Sequence, residues 1–154
     1  MTYKEYRKQR QDEVNALPIF WAFSEEQFKE AMEKRGLTVD DTDKIYGVGG
    51  GGMCLLKDKP IIDAFLSKPD PLRELMNDPA FAEDAFYYEL GNHEYHLNWE
   101  GDVDVCECFC SCKYREDKTY REYLREGGYS QGVINAFTKA RKRFLRDADE
   151  KGWY

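Results

Sequence analysis

Four cysteines at every second position, Cys106, Cys108, Cys110 and Cys112, lie in the run VCECFCSCKY. The only two histidines of the 154-residue chain, His93 and His96, stand just upstream in GNHEYHLNW. Thiolate sulfur and neutral imidazole are the preferred zinc ligands. Nearly all the soft donors of the chain therefore fall in one window, and the chemistry this points to is a zinc site. Its candidate ligands are Cys106, Cys108, Cys110, Cys112, His93 and His96. The fifth cysteine, Cys54, is far away in sequence and is expected in the core.

Spacing limits what the stripe can do. The alternation in VDVCECF reads as a strand, in which residues i and i+2 share a face about 6.6 Å apart. Cys106 and Cys112 would then be roughly 20 Å apart, while sulfurs on one zinc must each lie about 2.3 Å from it. A straight strand offers one ion two thiolates, so three or four require a bend, for which Ser111-Cys112 before Lys113 is a reasonable place. A hairpin with HLNW, joined at Glu100-Gly101-Asp102, supplies the missing ligand. A two-residue turn sets His93 opposite Cys108 and Tyr95 opposite Cys106. A longer turn sets His96 against Cys106. If His93 and His96 instead share a helical turn, they meet on one face at i,i+3. A site saturated by four protein groups is structural, because hydrolysis needs an open position. The alternatives are inert packing of small apolar cysteines on a core face, or reversible thiol redox chemistry.

Other motifs carry less. GVGGGG at Gly47 to Gly52 formally fits G-x-G-x-x-G, but MCLL follows as a strand and no βαβ unit surrounds it. Positive φ or close backbone approach is the expected reason for these glycines. His-Glu-Tyr-His has its histidines three apart and is not the H-E-x-x-H of zinc proteases. Asn92, His93 and Glu94 form a possible general-base cluster for a metal-dependent hydrolase. Glu100, Asp102 and Asp104 are expected in a solvated turn. Lys139, Arg141, Lys142, Arg143 and Arg146 make the last helix locally basic, balanced by Asp147, Asp149 and Glu150.

The elements that must position these residues read as a mixture. A helix is expected over about Thr2 to Leu17, then a short strand, IFWAF. Ser24-Glu-Glu-Gln27 is a capping box, with Gln27 reaching back to the Ser24 amide, and opens a helix ending at Gly36. KIYGV and MCLL are strands around Gly49 to Gly52. Helices follow in IIDAFL, PLRELM and, from Asp78 with Pro79 at its first position, FAEDAFYYEL, broken at Gly91. After the cysteines come a helix through Tyr120 and Leu124, a Gly127-Gly128 break, and a Ser130-capped helix to about Asp149. The expected fold class is α+β: a small antiparallel sheet covered by several helices, as a single domain over residues 1–154.

Aromatic content of 15% argues for a folded chain, and the formal charge of −7 disfavours non-specific attraction to nucleic acid or anionic membranes. It suits a protein partner with a basic surface. The N-terminus lacks an apolar h-region and no stretch approaches the roughly 18 apolar residues of a membrane span. A cytoplasmic setting with reduced thiols is therefore expected, where dense cysteines read as metal ligands before disulfides.

WAFSEEQF, KIYGVGGGG and YELGNHEY together resemble small uncharacterised proteins of Gram-positive bacteria and their prophages. The resemblance runs from Ile19 to Phe109, and its most specific parts are Gly49 to Gly52 and Asn92-His93-Glu94-Tyr95. It implies no catalytic residues, and the repeated cysteines look like an embellishment. In type, though not in motif, small acidic prophage proteins of this size are similar to anti-CRISPR proteins that inhibit a Cas9-type nuclease, a few of which contain zinc. The function these comparisons imply is a non-enzymatic inhibitor with a structural zinc, blocking guide or target-DNA loading. The alternative is a hydrolase using Asn92, His93 and Glu94.

Overall fold

The computed structural model describes residues 1–95, 101–111 and 117–153. His96, Cys112, the expected HLNW strand beyond Tyr95, Glu100 and the proposed bend before Lys113 lie outside them. Eight α-helices, two short 3-10 helices and one three-stranded antiparallel sheet make up the regular structure of the described residues, which is the α+β class. The chain divides into two compact units, one of residues 10–69 and the other of residues 1–9 with 70–154. The division falls inside helix α1 (Tyr3–Asn15).

In the unit of residues 10–69, strands β1 (Phe20–Trp21), β2 (Ile45–Gly49) and β3 (Gly52–Leu55) order as β1-β3-β2. The β2–β3 hairpin closes at the Gly49–Gly52 pair over a two-residue loop, Gly50-Gly51, both at positive φ (57° and 83°). That is the requirement of the tight hairpin turn whose twist matches its strands, and only glycine meets it without strain. The glycine run is thus a turn, with no helix following it. Helix α2 (Glu25–Glu33) starts at Ser24, whose side chain accepts the Gln27 amide. Gln27 Oε1 reaches back one residue further than the spacing suggests, accepting from the Phe23 amide at 2.9 Å. Ala31 and Met32 of α2 pack on Phe20, and Arg35 stacks over the Phe20 ring at 3.8 Å. Helix α3 (Lys59–Leu66) completes this unit.

The other unit is helical. Helix α4 (Leu72–Leu75) leads to α5 (Pro79–Asn92), opened by Asp78 and Pro79 as expected. Gly91 does not break α5, which runs on to Asn92 with His93 as its C-cap. A Cβ at Gly91 would sit 3.5 Å from the Phe144 ring, so the glycine marks close helix contact and not an end. Helix α7 (Tyr120–Glu126) carries a complete Thr119/Glu122 capping box, and α8 (Gln131–Lys151) starts at Ser130. The α5–α8 core is aromatic: Phe137 stacks on Tyr120 at 4.5 Å and meets Phe86 edge-on at 5.0 Å.

One element differs in kind from the sequence expectation. VDVCECF is not a strand: Asp102–Glu107 is a helix, α6, and the Cys110 amide still bonds to the Cys106 carbonyl at 2.9 Å. Alternation of aspartates with valines suggested period 2. The burial follows Val105, Cys106, Phe109 and Cys110, which is the i, i+1, i+4, i+5 set of a helix. Asp102 and Asp104 in the first turn also favour the positive end of the helix dipole.

Candidate metal centre

Helical geometry splits the cysteine stripe. Cys106 and Cys110, four residues apart, face inward and are buried. Cys108 lies on the opposite side, exposed. The expectation that one face carries all the thiols is therefore corrected: Cys106 and Cys110 pack in the apolar core and, among the described residues, lie outside the group formed by Glu89, His93 and Cys108. The Cys106 thiol lies 4.0 Å from the Tyr120 carbonyl, and burial raises its pKa. A Cβ on Gly127 would come within 2.8 Å of Cys110 Sγ, so α7 ends directly against that sulfur. Cys54 is buried, as expected.

Cys108 meets His93, the pair expected across a hairpin, but it does so between two helix ends. Cys108 Sγ and His93 Nε2 are 3.3 Å apart. Glu89, one helical turn before His93 on α5, brings its Oε2 to 3.8 Å from the same Nε2. The three ligand atoms lie within 4.8 Å of one another. A tetrahedral zinc with ordinary bond lengths holds such atoms about 3.4–3.6 Å apart, so Glu89, His93 and Cys108 are close enough to hold a metal ion.

Glu89 is the member of this group that sequence reasoning missed. It is only 3% exposed, the one buried acidic residue among the described residues, and it is fully engaged. Its Oε1 accepts from the Tyr3 hydroxyl at 2.7 Å and from Arg7 at 2.9 Å, while Oε2 accepts from Asn92 at 2.9 Å. These donors orient the carboxylate, as outer partners of metal ligands do, and leave Oε2 turned toward His93. The available signal was the spacing E-x-x-x-H, which puts both side chains on one helix face.

The same atoms resemble a thiol–imidazole–carboxylate relay, and their arrangement argues otherwise. A relay needs the acid on one ring nitrogen and the nucleophile on the other, whereas here Nε2 faces both. Convergence on one point is what chelation requires. Burial, then the Glu89 charge, push the Cys108 thiol up to about 11, so without a cation it stays protonated at neutral pH. A bound metal ion would offset both effects.

Of the hydrolase cluster, Asn92 and His93 gather at Glu89, while exposed Glu94 sits at positive φ (50°) in the turn after α5. Asp102 does not join a cation site with Asp104. It pairs with Arg141 of α8 at 3.5 Å, and burial raises its pKa. Arg141 also donates to the Tyr95 hydroxyl at 2.7 Å, so it belongs to the interior of this unit. Arg146 pairs with Asp147 and Glu150, as a self-balanced surface helix would. No helix of the described residues is long and apolar enough to cross a membrane.

The model of the family of unknown function DUF7659 matches residues 2–125, a span that contains Glu89, His93 and Cys108, and the chain belongs to that family. No curated protein and no solved structure matches it.

Proposed function

We propose that this protein is a non-enzymatic binding protein whose helical unit is pinned by one zinc ion. The observation that carries the metal half is the convergence of Glu89 Oε2, His93 Nε2 and Cys108 Sγ on one point. Zinc suits a mixed nitrogen, sulfur and oxygen set in tetrahedral geometry. Its bonds would fasten the end of α5 to the turn after α6, joining His93 to Cys108, 15 positions apart in sequence.

The binding half rests on the unit of residues 10–69. Trp21 and Phe23 are 53% and 75% exposed, their rings stacked 6.4 Å apart. Beside Phe23 is an open groove of about 600 Å³ lined by Phe28, Met53 and the hairpin glycines. Glu25, Glu26 and Glu30 of α2 are exposed nearby in sequence. Apolar anchors beside carboxylates suit a partner surface with an apolar knob rimmed by Lys and Arg. The most concrete form is an anti-CRISPR protein of prophage origin that docks on a basic face of a Cas9-type nuclease and obstructs guide or DNA loading. Co-purification with such nucleases, followed by a cleavage assay, tests this form. A stable complex that inhibits cleavage and is lost in Phe23→Ser supports it. Free nuclease with full activity at excess protein overturns it.

A second reading has one observation in its favour: three ligands leave a tetrahedral ion one position for water, the arrangement of a hydrolytic zinc. A metal-dependent hydrolase using Asn92, His93 and Glu94 would turn over activated esters or phosphodiesters when zinc-loaded, and lose that activity in His93→Ala.

A further inference from the structure

A second cleft lies in the unit of residues 1–9 and 70–154, apart from the metal ligands. Its volume is about 500 Å³, within the range of small-molecule sites. Aromatic rings form most of its wall: Tyr87 and Tyr88 from α5, Phe144 from α8, and Trp153. Trp153 is held there by the end of α8. Gly152 adopts a left-handed conformation (φ 62°), and the Trp153 amide bonds back to the Ala148 carbonyl at 3.1 Å. Its ring packs 5.6 Å from Phe144.

Two exposed cations, Lys4 and Arg143, open onto this cleft. Among the described residues neither forms an ion pair. Arg143 is nonetheless fixed in place, its guanidinium 4.0 Å over the Tyr87 ring, while Tyr87 is tied to Asp147 by a 2.7 Å hydrogen bond. The one carboxylate in the lining, Asp84, accepts the Tyr3 amide through Oδ2 at 2.7 Å and keeps its other oxygen for a further donor.

The geometry points to a binding site for a small planar aromatic carboxylate carrying a ring N–H, the class to which indole carboxylates belong. The rings supply stacking faces for a flat ligand. Arg143 and Lys4 supply charge-assisted donors for one carboxylate. Asp84 accepts from the ring N–H and disfavours a doubly charged phosphate in the same space. Neither the metal ligands nor the apolar surface of residues 10–69 takes part, so the site stands whatever becomes of the proposed zinc or partner.

The test is titration of indole-3-carboxylate into the full chain, followed through the tryptophan side-chain N–H signals in ¹H–¹⁵N spectra. Neutral indole and AMP are the comparison probes. The expected result is saturable movement of the Trp153 signal with the Trp21 signal stationary. Arg143→Gln and Lys4→Gln should each weaken binding about tenfold while both variants still unfold cooperatively, Arg143→Gln losing only its stacking on Tyr87. Indole should bind more weakly than its carboxylate. A Trp153 signal unmoved at millimolar ligand would overturn the proposal. So would an affinity unchanged from the parent protein in both variants, or tighter binding of AMP than of the carboxylate.

Discussion

The two units of this chain solve the burial problem differently. The helical unit encloses a cluster of 22 buried residues, running from Tyr3 to Phe144. The unit of residues 10–69 builds its cluster from Phe20, Ala31 and Met32, with Cys54 and Ile62 buried besides. Of eleven exposed large hydrophobic residues among those described, eight lie in residues 10–69: Val14, Trp21, Phe23, Val39, Tyr46, Leu56, Ile61 and Leu66. Exposed apolar surface on this scale favours association. The contrast teaches a division of labour, in which one unit buries its apolar residues for its own stability and the other leaves them at its surface, where we propose that a partner binds.

Core truncation should show the contrast most strongly. Phe137→Ala removes a fully buried ring from between Tyr120 and Phe86 and is expected to cost about 3–5 kcal/mol in urea unfolding. Met32→Ala should cost nearer about 2 kcal/mol, because few buried neighbours surround it. Equal losses would erase the distinction between the two cores.

Overpacking sharpens the same point. Gly127→Ala drives a methyl against Cys110 Sγ and should cost about 1–3 kcal/mol. Adding Cys110→Ala should restore much of that loss. A Gly127→Ala protein as stable as its parent would mean that α7 does not end against this sulfur.

The cysteines divide along the same line. Cys106→Ser places a hydroxyl in the apolar core and should cost about 1–2 kcal/mol. Cys108→Ser should change the metal-free protein by less than about 0.5 kcal/mol, with its effect confined to metal affinity. Reversed effects would put the ligand on the inner face.

This split is where the sequence was hardest to read. Ser24, Asp78, Pro79 and Ser130 announce their helices because caps and first-turn prolines act locally, within three residues. The Gly49–Gly52 turn was legible for the same reason. VDVCECF was not, since seven residues in which acids interrupt apolar side chains fit period 2 as well as period 3.6, and tertiary burial chose the helix. The closeness of His93 and Cys108 was anticipated from their chemistry, although the predicted hairpin that joined them was the wrong vehicle. Glu89 was hidden inside a helix core, where one acid in a chain with 30 acidic residues gives no signal until Tyr3, Arg7 and Asn92 are seen around it.

Surface residues of the second unit should respond in binding and not in stability. Phe23→Ser is expected to shift unfolding by less than about 0.5 kcal/mol and to abolish capture of the proposed partner. A large loss of stability would assign Phe23 to the fold.

The smallest effect is a pH dependence in residues 10–69. Hydrogen bonds from the Thr38 amide and Lys44 hold the Asp41 carboxyl down at about 2. A folded-state value below the unfolded one gives a contribution present above about pH 4. It is lost as pH falls toward 2. Asp41→Asn should therefore lower the melting temperature slightly at neutral pH and converge with the parent protein near pH 2. A difference that is constant across this range would contradict that origin.

The central claim is that Glu89, His93 and Cys108, and not the buried cysteines, hold a metal. Elemental analysis of chelator-stripped and zinc-reconstituted protein tests it most directly, with folding of each variant checked by circular dichroism. One zinc per chain is expected in the parent, in Cys106→Ala and in Cys110→Ala, and none in Glu89→Gln, His93→Ala or Cys108→Ser. A folded parent protein that retains no zinc, or a zinc that survives loss of His93 and Cys108, would contradict the account.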